Sequence, residues 1–335
     1  LCVTCHGDKA GLDKKAHPHP PAAGGECLSC HDPHRGGNGA LLKDKPLELC
    51  GACHDDLARA AKEPVVHQAF ADGRCASCHE QHGSENPKLV KTTDGSMCLN
   101  CHGDLAKRLE AGVGVHAPAA KKDCLRCHTP HSGGEGHLLR RDERSLCLSC
   151  HSGLEKALAG QEVHPPFRSG NCTACHDPHQ SAQPRLMRAA AEAACAQCHG
   201  TGRVITQASH PHPPAKEGRC LECHGGHGGQ TRALLRRPPA ELCLSCHAAI
   251  ARKVAGPGAH SAAVQGQCAA CHEPHGSKQE KLLKAEPNVL CSSCHAEIGK
   301  EGEHAHPPVA QGECLTCHDP HGGAAAPALT KAVPA

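Results

Sequence analysis

Residues 27–34 read Cys27-Leu28-Ser29-Cys30-His31-Asp32-Pro33-His34. Two thiols three residues apart sit on one turn, within reach of the two vinyl groups of one haem. The histidine directly after the second thiol turns its imidazole to the iron as proximal ligand. The spacing is that of c-type haem attachment. His34 adds an imidazole that attachment alone does not require.

The C-x-x-C-H pentapeptide occurs fourteen times and uses all 28 cysteines. The thioether pairs are Cys2 and Cys5, Cys27 and Cys30, Cys50 and Cys53, Cys75 and Cys78, Cys98 and Cys101, Cys124 and Cys127, Cys147 and Cys150, Cys172 and Cys175, Cys195 and Cys198, Cys220 and Cys223, Cys243 and Cys246, Cys268 and Cys271, Cys291 and Cys294, and Cys314 and Cys317. The proximal histidines are His6, His31, His54, His79, His102, His128, His151, His176, His199, His224, His247, His272, His295 and His318. Zinc ribbons also pair C-x-x-C motifs, but zinc needs no histidine after every second cysteine. Disulfides within each motif would be strained, would cross-link nothing distant and would leave the histidines unexplained. Fourteen covalent c-type haems account for the whole pattern.

Composition points the same way. The 335 residues hold two Phe, no Tyr and no Trp, and the 38% hydrophobic share is mostly cysteine and alanine. Polypeptide of this kind cannot build a close-packed core. It packs around something large that the sequence does not encode, and fourteen porphyrins meet that need.

The motifs alternate between two types. Spacings between successive first cysteines run 25 or 26, then 23, so the repeating unit is a pair of about 48 residues, with a closing gap of 23. First-type motifs usually follow an apolar residue, as at Leu49, Leu146, Leu242 and Leu290. Second-type motifs carry a histidine three residues after the proximal one: His34, His82, His131, His179, His227, His275 and His321. Eight residues before each second-type motif stands another: His19, His67, His116, His164, His212, His260 and His306. That offset holds at His116 and His306 although the flanking gaps change length, so the histidine keeps register with the motif. Proximal, downstream and upstream sets together supply two imidazoles per iron from this chain alone. Three residues along a helix rotate a side chain by about 60°, so a downstream histidine serves a neighbouring haem rather than its own. His17, His210 and His304 precede an upstream histidine by two residues and are the alternatives to it. His137 reads as a solvated side chain. Met97 and Met187 are too few and wrongly placed for general ligands.

The intervening stretches are rich in Pro, Gly and Ala, as in His164-Pro165-Pro166 and His306-Pro307-Pro308. Proline presents the preceding histidine on extended chain, and glycine lets backbone pass close to a flat macrocycle. Leu-Leu-Lys triplets such as Leu41-Leu42-Lys43 and Leu138-Leu139-Arg140 read as porphyrin packing, with the cation either a propionate partner or solvated. Leu329-Thr330-Lys331 looks like the opening of an eighth unit and a C-terminal cap. The expected fold is mostly irregular coil with short α-helices, of about two turns following several first-type motifs such as Cys243 to Val254, and essentially no β-sheet. It forms an elongated, solenoid-like array of seven two-haem repeats at 1–48, 49–96, 97–145, 146–193, 194–241, 242–289 and 290–335.

The formal charge of +2 turns acidic or neutral once each haem adds two propionates. With no basic patch and no aromatics to stack bases, nucleic-acid binding has no support. No apolar run approaches the length of a membrane span. Haem is attached after export, so a leader or longer N-terminus is expected to precede residue 1, and the protein is expected in the periplasm, at the outer membrane or outside the cell.

The doubled motif, with C-x-x-C-H-D-P-H over Cys27–His34, Cys172–His179 and Cys314–His321, resembles the paired C-x-x-C-H multihaem cytochromes c along the whole chain. Decahaem subunits of porin–cytochrome conduits and the electron donor of nitrite reductase are members, and extracellular cytochrome filaments are similar. Cys75–His82 and Cys220–His227 depart locally, reading C-H-E-Q-H and C-H-G-G-H, and Ala194 stands where Leu usually precedes the cysteine, without loss of a ligand. The resemblance implies an electron carrier rather than an enzyme: bis-His haems in a continuous wire for anaerobic or extracellular respiration. Its partners would be other redox proteins, sheathed by an outer-membrane β-barrel or by copies of itself in a filament. The alternatives are a reductase of small nitrogen or sulfur oxyanions, which calls for a vacant iron position, and a periplasmic electron store or shuttle.

Overall fold

A computed structural model describes residues 1–35, 37–159, 161–256, 258–298 and 306–331. These are mostly irregular chain with short helices, and the sheets among them are five antiparallel pairs of two-residue strands. They group into two units, Leu1–Ser152 with Gly170–Leu186, and Gly153–Ser169 with Met187–Ala335.

First-type motifs straddle a break between two helices: Pro46–Gly51 and Asp55–Ala60, Ser96–Leu99 and Gly103–Glu110, Pro239–Leu244 and Ala248–Val254. The short helix expected after the motif at Cys243 is Ala248–Val254, and a second, Pro239–Leu244, precedes the break. The proximal histidine makes the break: His54, His102 and His247 have ψ of 80°, 54° and 59°, outside the helical range, and stand as N-caps of the second helix. The imidazole thereby leaves the axis of the helix that carries the first thiol.

Second-type motifs are single turns followed by a bridge residue at the proximal histidine and a further turn or bend, so no helix runs through His31–His34. The helical rotation argument for the downstream histidines does not apply; that bridge and turn set their direction instead. The Leu-Leu-Lys triplets return antiparallel to the motif. Asp32 N–H donates to Leu41 O, Lys43 N–H donates to Cys30 O, and Leu42 bridges His31. The same bonds recur at Glu80 and Lys91, Thr129 and Arg140, Gly225 and Arg236, and Glu273 and Lys284. Asp319 N–H to Ala328 O and Thr330 N–H to Cys317 O complete the series. Leu329-Thr330-Lys331 thus returns on the seventh second-type motif as the other triplets return on theirs.

Two-residue ribbons tie five of the six consecutive repeat pairs, and a single bridge, Val115 with Gln180, stands at the junction of the third and fourth. His17–Pro18 pairs with Gly83–Ser84 and Val65–Val66 with Ser132–Gly133; Glu162–Val163 pairs with Gly228–Gly229, His210–Pro211 with Gly276–Ser277, and Gly258–Ala259 with Gly322–Gly323. In every case the chain entering an upstream histidine meets the chain leaving the next repeat's downstream histidine. Contact is close: a Cβ on Gly228 or Gly258 would overlap the carbonyl of Glu162 or Gly323 across the ribbon.

Among the described residues Phe70 is the one buried hydrophobic side chain. The chain exposes 22121 Å², against about 13,000 Å² for a compact monomer of its mass. Polypeptide alone does not form the core. Chain produced without haem attachment is therefore expected to show no cooperative thermal transition by circular dichroism or calorimetry; a compact apoprotein with a sharp melt would contradict this.

Candidate functional site

The histidines meet in pairs. In the first unit the ring centroids of His19 and His54 are 6.2 Å apart, His67 and His102 6.2 Å, and His116 and His151 6.1 Å. His31 and His82, His79 and His131, and His128 and His179 stand at 6.0 Å. In the second unit His164 and His199 are at 5.9 Å, His212 and His247 at 6.2 Å, His260 and His295 at 6.1 Å, and His224 with His275 and His272 with His321 at 5.9 Å. Each upstream histidine faces the first-type proximal histidine 35 residues later. Each downstream histidine in these pairs faces the second-type proximal histidine 49 to 52 residues earlier, not that of its own motif.

A metal–imidazole bond of about 2 Å sets a ring centroid about 3 Å from the metal, so two imidazoles on opposite faces of one iron stand about 6 Å apart. The observed separations fit a bis-histidine haem iron. Most pairs are near-parallel; His67 with His102 and His260 with His295 cross at 60° and 61°.

Local structure aims each ring. Upstream histidines hold extended backbone immediately before a four-residue helix, as His164 does before Pro165–Arg168 and His212 before Pro213–Lys216. Proline at the first helical positions is pre-set for that turn. The Nδ1 of His116, His164 and His212 bonds the carbonyls of Pro178, Gly226 and Pro274 at 2.9, 3.0 and 2.9 Å. Each of these carbonyls belongs to the residue before a downstream histidine, so upstream and downstream histidines of consecutive repeats are fastened side by side. His67 N–H donates to His131 O at 2.8 Å, and His116 N–H to His179 O at 3.0 Å.

All seven second-type proximal histidines share a contact that motif reading missed. Nδ1 of His31, His79, His128, His176, His224, His272 and His318 bonds the carbonyl nine residues on: Ala40, Lys88, His137, Arg185, Ala233, Lys281 and Pro327, at 2.8 to 3.1 Å. The nine-residue step is constant in the sequence and was the available signal. A bond from Nδ1–H leaves Nε2 free for the iron, fixes the ring and raises its basicity. The carbonyls are aimed by left-handed turns on non-glycine residues, such as Ala40 and Leu41 at φ 57° and 55°, each costing about 1–2 kcal/mol. The exposed His137 thus serves through its carbonyl rather than its ring.

Two ion pairs were also missed. Arg108 and Lys253 each follow a first-type proximal histidine by six residues and reach Asp177 and Asp319 at 2.5 Å. Burial alone would raise the Asp177 carboxyl, but the His179 N–H and Arg108 hold it below its ordinary value.

Burial, and then the facing ring, lowers the imidazole pKa of His19, His67, His131, His179, His275 and His321. The neutral, iron-ligating form is the one favoured. The 28 cysteines form no disulfide. Burial, and then the neighbouring thiol of Cys75 or Cys172, pushes Cys50 up to about 11 and Cys147 up to about 12. Cys98 meets Cys124, Cys243 meets Cys268 and Cys291 meets Cys314 in the same way, so first thiols of successive motifs lie together.

His19 and His212 face partner rings, whereas His17 and His210 lie exposed in ribbons; His304 lies outside the described residues. Among the described residues His6, His34, His306 and His318 face no partner ring, and no three His, Cys, Asp or Glu side chains gather as a metal-ion cluster.

The family described as the doubled CXXCH motif matches residues 19–59, 67–107, 116–156, 164–204, 212–252, 260–300 and 306–335. Every match begins on an upstream histidine. No curated protein matches the sequence.

Histidines held below their ordinary 6.5 give stability that is whole above that pH and lost as the pH falls below it, because the unfolded chain then binds more protons. With haem bound, iron competes with the proton for the same ring nitrogen, so the ferric protein is expected to keep its low-spin spectrum and urea midpoint to well below that pH and to lose both only in acid. High-spin absorbance appearing already near neutral pH would contradict the assignment.

Proposed function

Because the chain belongs to the doubled CXXCH motif family, we propose that its facing histidines are the axial ligands of bis-His haems and that it conducts electrons along them. The chain is a multihaem c-type cytochrome of electron transfer, with fourteen C-x-x-C-H sites for fourteen covalently bound c-type haems. When bound, such iron exchanges one electron with both axial positions filled and little rearrangement.

The observation that carries the ligand reading is the pair of registers. One 35-residue step and one step of 49 to 52 residues bring rings to a separation of 5.9–6.2 Å throughout both units. Each pair draws its imidazoles from different repeats, and adjoining first thiols set the attachment edges of successive haems close together. This favours a stacked, solenoid-like conduit in anaerobic or extracellular respiration over a reductase. Two imidazoles leave no vacant position for nitrite, hydroxylamine or sulfite, and the chain has no C-x-x-C-K motif and no Tyr.

No helix among the described residues is long and apolar enough to cross a membrane. Export to the periplasm or beyond, redox-protein partners, and a sheath made by an outer-membrane barrel or by further copies of the chain complete the reading. So little polypeptide over so much porphyrin calls for insulation.

His212→Ala is expected to add one high-spin haem of the fourteen, binding one further CO when reduced, and His210→Ala to add none. Electron paramagnetic resonance and CO titration measure both. No added open haem in His212→Ala would refute the upstream assignment.

A further inference from the structure

The repeats share one ligand plan, but the chain does not surround every downstream ring alike. Its two Phe residues stand at one register position, three after an upstream histidine: Phe70 after His67 and Phe167 after His164. The other repeats hold Ala or Val there. Both pack on a downstream ring of the following repeat, Phe70 on His131 at 4.9 Å between centroids and Phe167 on His227 at 5.0 Å. Phe70 is buried. Under it His131 tilts 33° from His79, whereas four other pairs of that register lie at 12° to 26°, so the packing bears on the ring itself.

A carboxylate stands beside two other downstream rings. Asp177 and Asp319 accept the backbone N–H of His179 and His321 at 3.0 Å, and the same oxygen lies 4.0 and 3.8 Å from Nδ1 of those rings. The second oxygen is held by Arg108 or Lys253 of the preceding repeat. In the sequence the cation accompanies the aspartate. Where Thr129 and Gly225 replace it, the cation's position holds Ala60 and Ala157, and where Glu80 and Glu273 replace it, Leu12 and Ile205.

We propose that these contacts grade the conductor: Phe70 raises the reduction potential of the haem held between His79 and His131, and Asp177 lowers that of the haem held between His128 and His179. A ferric bis-His centre carries one more positive charge than a ferrous one. Apolar cover on a ligand ring disfavours that charge, and a carboxylate beside the ring favours it. Arg108 turns one carboxylate oxygen outward and leaves the other for the ring. Asp319 acts on the site of His272 and His321 as Asp177 does on its own. Electrons settle at the aromatic site, and the acidic site of the next repeat is a step up in energy. The repeats are equal in ligands and unequal in potential.

This rests on the bis-His reading above, and the readouts keep the two apart. Potentiometric titrations of the haem-loaded full chain and its variants are followed by haem absorbance and electron paramagnetic resonance. Asp177→Asn, which leaves the Arg108 cation uncompensated, is expected to make one haem's share of the absorbance easier to reduce by about tenfold, or about 59 mV for a one-electron couple. Phe70→Ala should move one share the opposite way by a similar factor, and Phe70→Leu, which keeps apolar cover, should move it less. The low-spin signal should stay that of the unaltered chain in all three. An ion pair that only joined repeats would move no potential. Shifts in one direction for both sites, or no shift with the low-spin signal intact, would overturn the grading and leave the ligands standing. So would a high-spin haem in Phe70→Ala that Phe70→Leu restores, since Phe70 would then hold the ring rather than tune it. An unaltered ferric chain without low-spin bis-His signals would fail the ligand reading itself.

Discussion

The structure depends on one constraint: the two imidazoles of a pair never come from the same repeat. On the bis-His reading proposed above, an iron held by two such histidines would close a loop of 35 or about 51 residues, making each pair a cross-link between segments that make few other contacts. The ribbons are two residues long and Phe70 is the single buried hydrophobic among the described residues. Neither could order a chain of this length against its conformational entropy. Covalent attachment fixes where a haem sits along the sequence, and axial ligation fixes which distant segment must come to it.

Side-by-side fastening of histidines extends that logic from one site to the next. His116 donates through both its backbone N–H and its Nδ1 to the Pro178-His179 segment. Its own ring faces His151 while His179 faces His128. Two neighbouring sites thus share one rigid backbone clamp, and neither can shift alone. Short, fixed separations between redox centres need that kind of coupling, and it is supplied by main chain rather than by packing.

Much of this was legible in the sequence because haem attachment is written in covalent chemistry. Cys and His at fixed offsets cannot be moved by tertiary context, so the motif count, the alternation of types and the upstream and downstream sets could all be read directly. The partner of each ring could not. His31 meeting His82 depends on a path through Asp32-Pro33 and back, and nothing in a local window sets its length. The short helix after the motif at Cys243 was legible because propensity favours Ala248–Val254, whereas the helix ahead of the break at His247, Pro239–Leu244, was not. Ion pairs such as Arg108 with Asp177 join residues 69 apart, beyond any periodic signal.

The carbonyls that orient the second-type proximal rings belong to Ala40, Lys88, His137, Arg185, Ala233, Lys281 and Pro327. These side chains share no common chemistry: they are small, basic, aromatic or cyclic. Since the acceptor is the peptide oxygen, substitution there can redraw the surface presented to a donor, an acceptor or a sheath while the electronic setting of the iron stays as it was. Interface and redox tuning occupy the same residue but different atoms, so partner choice is free to change without retuning the conductor.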